Sequence, residues 1–304
     1  MEDKEKNILV SQDDEINNLR KKYMRADLIW KSASVLVLIL TAAYIFLVFR
    51  KIIDFPFYAT LITVLVLLVL IFLCVYMLPH FLRMNSKLKA YSSKYKAAYL
   101  KPTLEEAFPK GEYNDYEKIS TRDITKNSML KKAKSAVAND CIRGSYKKIL
   151  FLRYDLALRY GKKKAGSECV MIVAEIKTGL KSEVQIIGND FKIGGMDYSQ
   201  PETYCKLLSS NEKFDSRFSV YAKDQDDGQK FLKDKFVTKI AKFKTDGPFA
   251  LFFDKDEVSL IIRKNKDAME APVYKAVKKE RAVKEANNEV ETIKEWIELL
   301  EDLI

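Results

Sequence analysis

Two uncharged apolar runs, residues 32–49 and 55–82, are parted only by Arg50, Lys51, Ile52, Ile53 and Asp54, and they constrain this chain more than any other feature. An apolar stretch of up to about 14 residues suits the core of a soluble domain, whereas roughly 20 are needed to cross the hydrocarbon of a bilayer. Both runs fall in the second class, and the short interval turns one back on the other. The prediction is a two-helix transmembrane hairpin over 29–82, with spans at about 29–49 and 55–79. Trp30, Tyr44, Phe55, Phe57, Tyr58 and Tyr76 fall near the expected interfaces, where amphipathic rings favour the headgroup layer.

Arg20, Lys21, Lys22, Arg25 and Lys31 precede the first span, and a second basic group follows the other, while the connecting loop holds only Arg50 and Lys51. Basic residues next to a span stay on the cytoplasmic side, so both termini, including the segment 1–28, are expected inside and the loop outside. The first run does not read as a cleaved signal, because a polar segment precedes it and another span follows at once.

Lys and Arg outnumber Asp and Glu by 53 to 42, for a net charge of +11. The surplus lies just past the hairpin, which suits an anionic leaflet. A DNA or RNA binder would present its charge away from the bilayer, so no nucleic-acid partner is expected. The four cysteines, Cys74, Cys141, Cys169 and Cys205, form no Cys-x-x-Cys pair and read as reduced, buried thiols. The single histidine, His80, sits beside the hairpin, so the rest of the chain lacks the imidazole that Ser-His, Cys-His or His-ligated metal chemistry needs. No catalytic residue, cofactor or metal ligand is assigned.

Residues 83–102 read as a basic juxtamembrane helix, and Arg83, Lys87, Lys89, Lys94, Lys96 and Lys101 are candidate contacts for anionic lipid, each worth about 1 kcal/mol at the surface. The same charges also serve as a plain topology signal. Pro102 should end this helix, and Thr103-Leu104-Glu105-Glu106 has the form of a capping box. A cytosolic domain is expected over 103–304.

Within that domain Leu150, Leu152, Tyr154, Leu156, Leu158 and Tyr160 alternate with Phe151, Arg153, Asp155, Ala157 and Arg159. Period two predicts an antiparallel strand with the first set on a core and the second wet. The basic turn 161–166 and the apolar run 170–176 complete a hairpin; the turn misses the Gly-x4-Gly-Lys-Ser/Thr pattern of a phosphate loop. Further strands are expected at 184–187, through Phe214, Ser216, Phe218, Val220 and Ala222, and as a hairpin at 249–253 and 258–263. Asp224 suits the cap of one helix carrying Phe231, Leu232, Phe236, Ile240 and Phe243 inward. Asp224, Asp226 and Asp227 miss the EF-hand spacing, since Gln229 and Lys235 stand at the glycine and glutamate positions, so they read as a solvated helix start.

A closing helix is expected at about 270–304, where Val283, Val290, Ile297 and Ile304 repeat by seven, as do Ala286, Ile293 and Leu300. The stripe of Val283, Ala286, Val290, Ile293, Ile297 and Leu300 either docks on the domain's own sheet or pairs two copies into a homo-oligomer.

The order of these parts, together with Phe214-x3-Phe218-Ser219-Val220-Tyr221-Ala222-x-Asp224, Asp140-Cys141-Ile142-Arg143-Gly144-Ser145-Tyr146 before a strand pair, and Asp267-Ala268-Met269-Glu270 before the closing helix, resembles a bacterial membrane-protein family known only as domain of unknown function 3137. Gly228 and Met269 depart from the pattern, which has a helix-favouring small residue and phenylalanine there. The resemblance implies architecture and no catalytic residue. The expected fold class is α+β: a two-helix transmembrane hairpin, then a cytosolic antiparallel-sheet domain with packed helices and a C-terminal amphipathic helix. The expected role is a scaffold or adaptor in the bacterial inner membrane whose cytosolic domain binds a protein partner or lipid. A membrane-tethered enzyme using carboxylate and lysine chemistry would instead need a pocket where acids converge, and a component of a transporter would need to oligomerise to line a pore.

Overall fold

The computed structural model describes residues 2–50, 56–116, 119–160, 166–193, 196–197, 203–264 and 269–301. The hairpin loop with Phe55, the basic turn at 161–165, Asp267, Ala268 and Ile304 lie outside the described residues. The chain forms two compact units, Met1–Ala98 with Glu270–Arg281, and Tyr99–Met269 with Ala282–Ile304.

The first unit contains α1 (Glu2–Phe49), α2 (Phe57–Phe72), a π-helical turn (Leu73–Met77), α3 (Leu78–Phe81) and α4 (Met84–Tyr95). By length and composition two helices are apolar enough to cross a membrane, and nothing in their most apolar windows is buried. Leu36, Leu61 and Leu65 each expose more than half of their surface. The π-helical turn has a local cause. Leu78 N–H bonds back to the Leu73 carbonyl, five residues away, and the next donor in that ladder would be Pro79, which has no N–H. The Cys74 carbonyl is thereby left to the Trp30 indole, whose Nε1–H donates to it across the hairpin at 3.1 Å.

The polar half of α1 packs on α4, burying Ile16 and Ala26 with Met84, Tyr91 and Tyr95. The helix expected to run on from the second span bends first at Arg83, whose φ of 49° is left-handed. A strap from the C-terminal part of the chain completes this unit: the Tyr91 hydroxyl donates to the Pro272 carbonyl at 2.7 Å, and Asn17 Oδ1 accepts from Val277 N–H at 3.3 Å. The closing helix therefore begins at Lys279 rather than near 270, since Pro272 disfavours helix at the residue before it.

The second unit opens with α5 (Lys101–Ala107). Pro102 sits in its first turn, where a missing N–H is tolerated, so it does not end the helical run. The capping box does not form, because Thr103 lies inside the helix and its hydroxyl donates to the Tyr99 carbonyl; Glu105 accepts from Tyr113 N–H. Then come β1 (Glu112–Tyr116), α6 (Thr121–Thr125), a 3-10 turn (Ser128–Leu130), β2 (Ser135–Tyr146), β3 (Ile149–Arg159), β4 (Gly166–Glu175), β5 (Val184–Gly188), the small pair β6 (Lys192–Ile193) and β7 (Met196–Asp197), and β8 (Cys205–Leu207). After these follow α7 (Glu212–Asp215), β9 (Phe218–Ala222), α8 (Gln225–Phe231), α9 (Asp234–Lys242), β10 (Phe249–Phe253), β11 (Glu257–Arg263) and α10 (Lys279–Glu301). Among the described residues nine strands form one sheet in the order β1-β2-β3-β4-β11-β10-β5-β9-β8, with every neighbouring pair antiparallel. The fold is α+β.

One sheet face carries Tyr154, Leu156, Leu158, Met171, Ile261 and Phe252 beneath Ile124, Met129 and Leu130 of the α6 region. The other face is aromatic: Phe253 lies 4.4 Å from the Phe231 ring, and Phe249 and Phe243 meet edge to face at 5.4 Å. Burial on both faces explains the run of buried residues through β10.

Three elements differ from expectation. Asn211 caps α7 by accepting from Phe214 N–H, so Phe214 and Ser216 are helical and the strand starts at Phe218. The single helix expected after Asp224 is two, broken at Lys233 in extended conformation. The Asp140–Tyr146 signature precedes the β3–β4 pair, but it is itself part of a strand, β2. Gly228 is required by close approach: a Cβ there would lie 2.1 Å from Leu207 and 2.8 Å from the Ala222 Cβ.

Trp30→Phe should lower the stability of the helical hairpin by about 1 kcal/mol in a detergent unfolding titration, and by less in a Pro79→Ala background, where position 79 regains its own donor. An equal loss in both backgrounds would refute the carbonyl-capping account.

Candidate functional site

The second set of alternating residues on β3 is not wet. Arg153 has no exposure and Asp155 is 7 % exposed, because α10 lies over that face. The Arg153 guanidinium grips Asp155 with both ends, Nη1 to Oδ2 at 2.9 Å and Nη2 to Oδ1 at 3.0 Å. Nη1 also donates to the Asp140 carbonyl at 3.0 Å, and Nη2 to Glu289 of α10 at 2.8 Å. Lys264 bonds the other Glu289 oxygen, and the Tyr113 hydroxyl donates to the Asp140 carboxylate.

A break in register produces this geometry. The β2–β3 pairing shifts between Asn139 and Ile142, and Asp140 takes a left-handed φ of 49° there, as at a β-bulge. The extra residue turns the Asp140 carbonyl and carboxylate to Arg153 and Tyr113. Burial alone would raise the Glu289 carboxyl, but the Arg153 and Lys264 cations prevail and hold it down to about 2 from an ordinary 4.5. Burial, then Asp140, pushes the Tyr113 phenol up. Burial pushes up the Cys169 thiol as well, which disfavours its thiolate form. A cavity of about 120 Å³ adjoins the cluster, lined by Asn139, Asp155, Ala157, Glu168, Cys169 and Lys264. Acids do converge here, yet Asp155 and Glu289 are paired to cations, and the cations that hold Glu289 down keep that carboxyl from being poised near neutrality for proton transfer.

On the opposite face an open groove of about 800 Å³ crosses β2, β3, β4 and β11 beside the 119–127 segment. Leu150, expected on the core, is 52 % exposed at its floor.

The residues singled out in sequence are scattered. Lys96 is buried and paired with Glu270 at 3.2 Å, so it is no lipid contact; the strap carrying Glu270 was not legible as a neighbour. Lys94 pairs with Glu15 at 3.1 Å and Lys101 with Glu105 at 3.7 Å. Arg83 and Lys89 are exposed, and Lys87 is half-buried. Along α10, Ala286, Val290, Ile293, Ile297 and Leu300 are buried and Val283 half-buried. Asp227 is not a solvated helix start: it is buried, and accepts from the Lys181 and Ser182 backbone N–H groups. Cys141 and Cys169 are buried thiols, but Cys205 is exposed on β8, which lies at the end of the sheet's strand order among the described residues.

Fold and site together define an α+β protein with two long apolar helices and a sheet domain holding a buried ion cluster. Residues 168–303 match the family described as "Protein of unknown function (DUF3137)", so the chain resembles that family through the second half of its sheet and α10. Among curated proteins none matches. Among solved structures, the mycobacterial trehalose monomycolate transport factor A, TtfA, is similar at a TM-score of 0.41 and 13 % identity, over 66 % of this chain and 92 % of that one. A likeness at that level assigns no role.

Arg153→Met should destabilise the second unit by about 3–5 kcal/mol in urea denaturation, since it strands buried carboxylates without their cation. The folded Glu289 pKa lies below its unfolded value, so its contribution is complete above about pH 4.5 and fades as pH falls towards 2. Protection factors for hydrogen exchange in α10, taken relative to the intrinsic exchange rate at each pH, should fall over that window, and Glu289→Gln should flatten the dependence.

Proposed function

We propose that this protein is an adaptor anchored in the bacterial inner membrane, with both termini cytoplasmic and its sheet domain presented to a partner at that surface. The observation that carries the reading is that no residue in the apolar windows of the two long helices is buried, an arrangement unfavourable in water and natural in lipid. The basic residues flanking the spans support the orientation. Arg83, Lys87 and Lys89 remain the candidates for anionic lipid, since the three later lysines have carboxylate partners. The burial of the α10 stripe favours its docking role over pairing two copies. The cation-paired state of Asp155 and Glu289 speaks against the tethered-enzyme alternative.

The protein should stay in the pellet after alkaline carbonate extraction of membranes. Alkaline phosphatase should be active when fused after Asp54 and inactive when fused after Ile304. Release by carbonate would remove the anchor, and the opposite reporter pattern would reverse the orientation.

A further inference from the structure

Glu175 on β4 and Glu257 on β11 stand directly opposite one another, and both line the groove on the α6 side of the sheet. Like charges in that position repel. Among the described residues neither carboxylate has a hydrogen bond or an ion pair. The cation beside them, Lys126, is held by Asp123 at 3.2 Å. Burial, then the charges of Asp254 and Glu175, holds the Glu257 carboxyl above its ordinary range. An unopposed acidic pair on a sheet face weakens a fold, so a role outside stability accounts for it better.

A second feature of the groove is independent of these charges. Asn127 lines it and is only 2 % exposed. Its Oδ1 accepts from Met129 N–H at 3.0 Å, while Nδ2 has no partner. A buried amide donor left unpaired is costly unless an acceptor arrives. The groove also has polarity. Arg143 on β2, with Lys110 near it, lines one side; Leu150, Leu152 and Val173 form the middle; the glutamates line the other. From β2 to β11 is three inter-strand steps, about 14 Å, the length of roughly four extended residues.

We propose that this groove binds a short extended peptide segment of a partner protein, with a basic side chain between Glu175 and Glu257, apolar side chains over Leu150, Leu152 and Val173, an acidic group at Lys110 and Arg143, and a backbone carbonyl at Asn127. The inference deepens the adaptor reading and rests on it. A metal ion fits less well, since among the described residues no three ligating side chains converge. A free amine would answer the glutamates but neither Asn127 nor the basic side.

The test uses the full chain in lipid nanodiscs as bait for a phage-displayed random peptide library. Enriched sequences should pair Lys or Arg with Asp or Glu about four residues apart across apolar residues. A fluorescent copy of the leading peptide should bind at least about tenfold more weakly to Glu175→Gln and to Glu257→Gln, a loss of about 1.4 kcal/mol or more. Both variants should melt at or above the wild-type temperature, because a repulsion has been removed. No enrichment over empty nanodiscs would overturn the proposal, as would peptide binding indifferent to both substitutions, hexylamine binding as tightly as the peptide, or a lower melting temperature in the glutamine variants. Carbonate release with peptide binding intact would sink the anchor reading alone; a firm anchor without peptide selection would sink this inference alone.

Discussion

A guanidinium with no exposure to water, Arg153, is what the arrangement of the second unit depends on. Taking such a charge out of water is unfavourable by several kcal/mol unless its donors are met, so the surrounding chain has to come to it. Asp155 reaches it from the same strand, the β2 bulge delivers the Asp140 carbonyl, and α10 delivers Glu289. The cluster thus ties the first part of the sheet to the last helix of the chain. Hydrophobic burial of Ile293, Trp296 and Ile297 presses α10 onto the sheet, while the ion cluster specifies its register.

In the first unit the governing constraint is different. Apolar surface is left outward, and the backbone groups beneath it are met from within the unit. Pro79 breaks that self-sufficiency at one carbonyl, and the Trp30 indole restores it from the neighbouring helix. Where the unit leaves the apolar region, the constraint relaxes into ordinary packing, with Tyr91 and Tyr95 against α1 and a polar strap hydrogen-bonded along both helices.

Much of the fold was legible because local pattern and tertiary environment agree. The apolar runs, the β10–β11 hairpin, the Asp224 cap and the amphipathic α10 follow from periodicity and cap chemistry. β2 carries little local signal, for physical reasons. Its bulge breaks the alternation, and its turn into β3 uses Lys147 and Lys148 at φ 49° and 68°, residues that carry none of the usual Asn-Gly signal. The partners Glu298 and Glu301 that hold Lys147 are contributed by α10, far away in sequence. The Arg153 face of β3 differs from its sequence expectation for a related reason: polar alternation normally marks a wet face. A buried Arg153 paired with Asp155 produces the same letters as an exposed one, and only the position of Glu289 distinguishes them.

By itself, the sequence determined the number and length of the apolar helices, the basic flanks around them, the strand periods of β3, β10 and β11, and the absence of histidine from the sheet domain, because each depends on composition or spacing within a short window. Only the tertiary structure decided which charges are buried, which lysines already have carboxylates, that residues 270–278 belong with the first unit, and that Glu175 and Glu257 stand opposite each other on neighbouring strands. Those outcomes depend on strand register and on segments distant in sequence coming together, and no local pattern encodes a partner more than a hundred residues away.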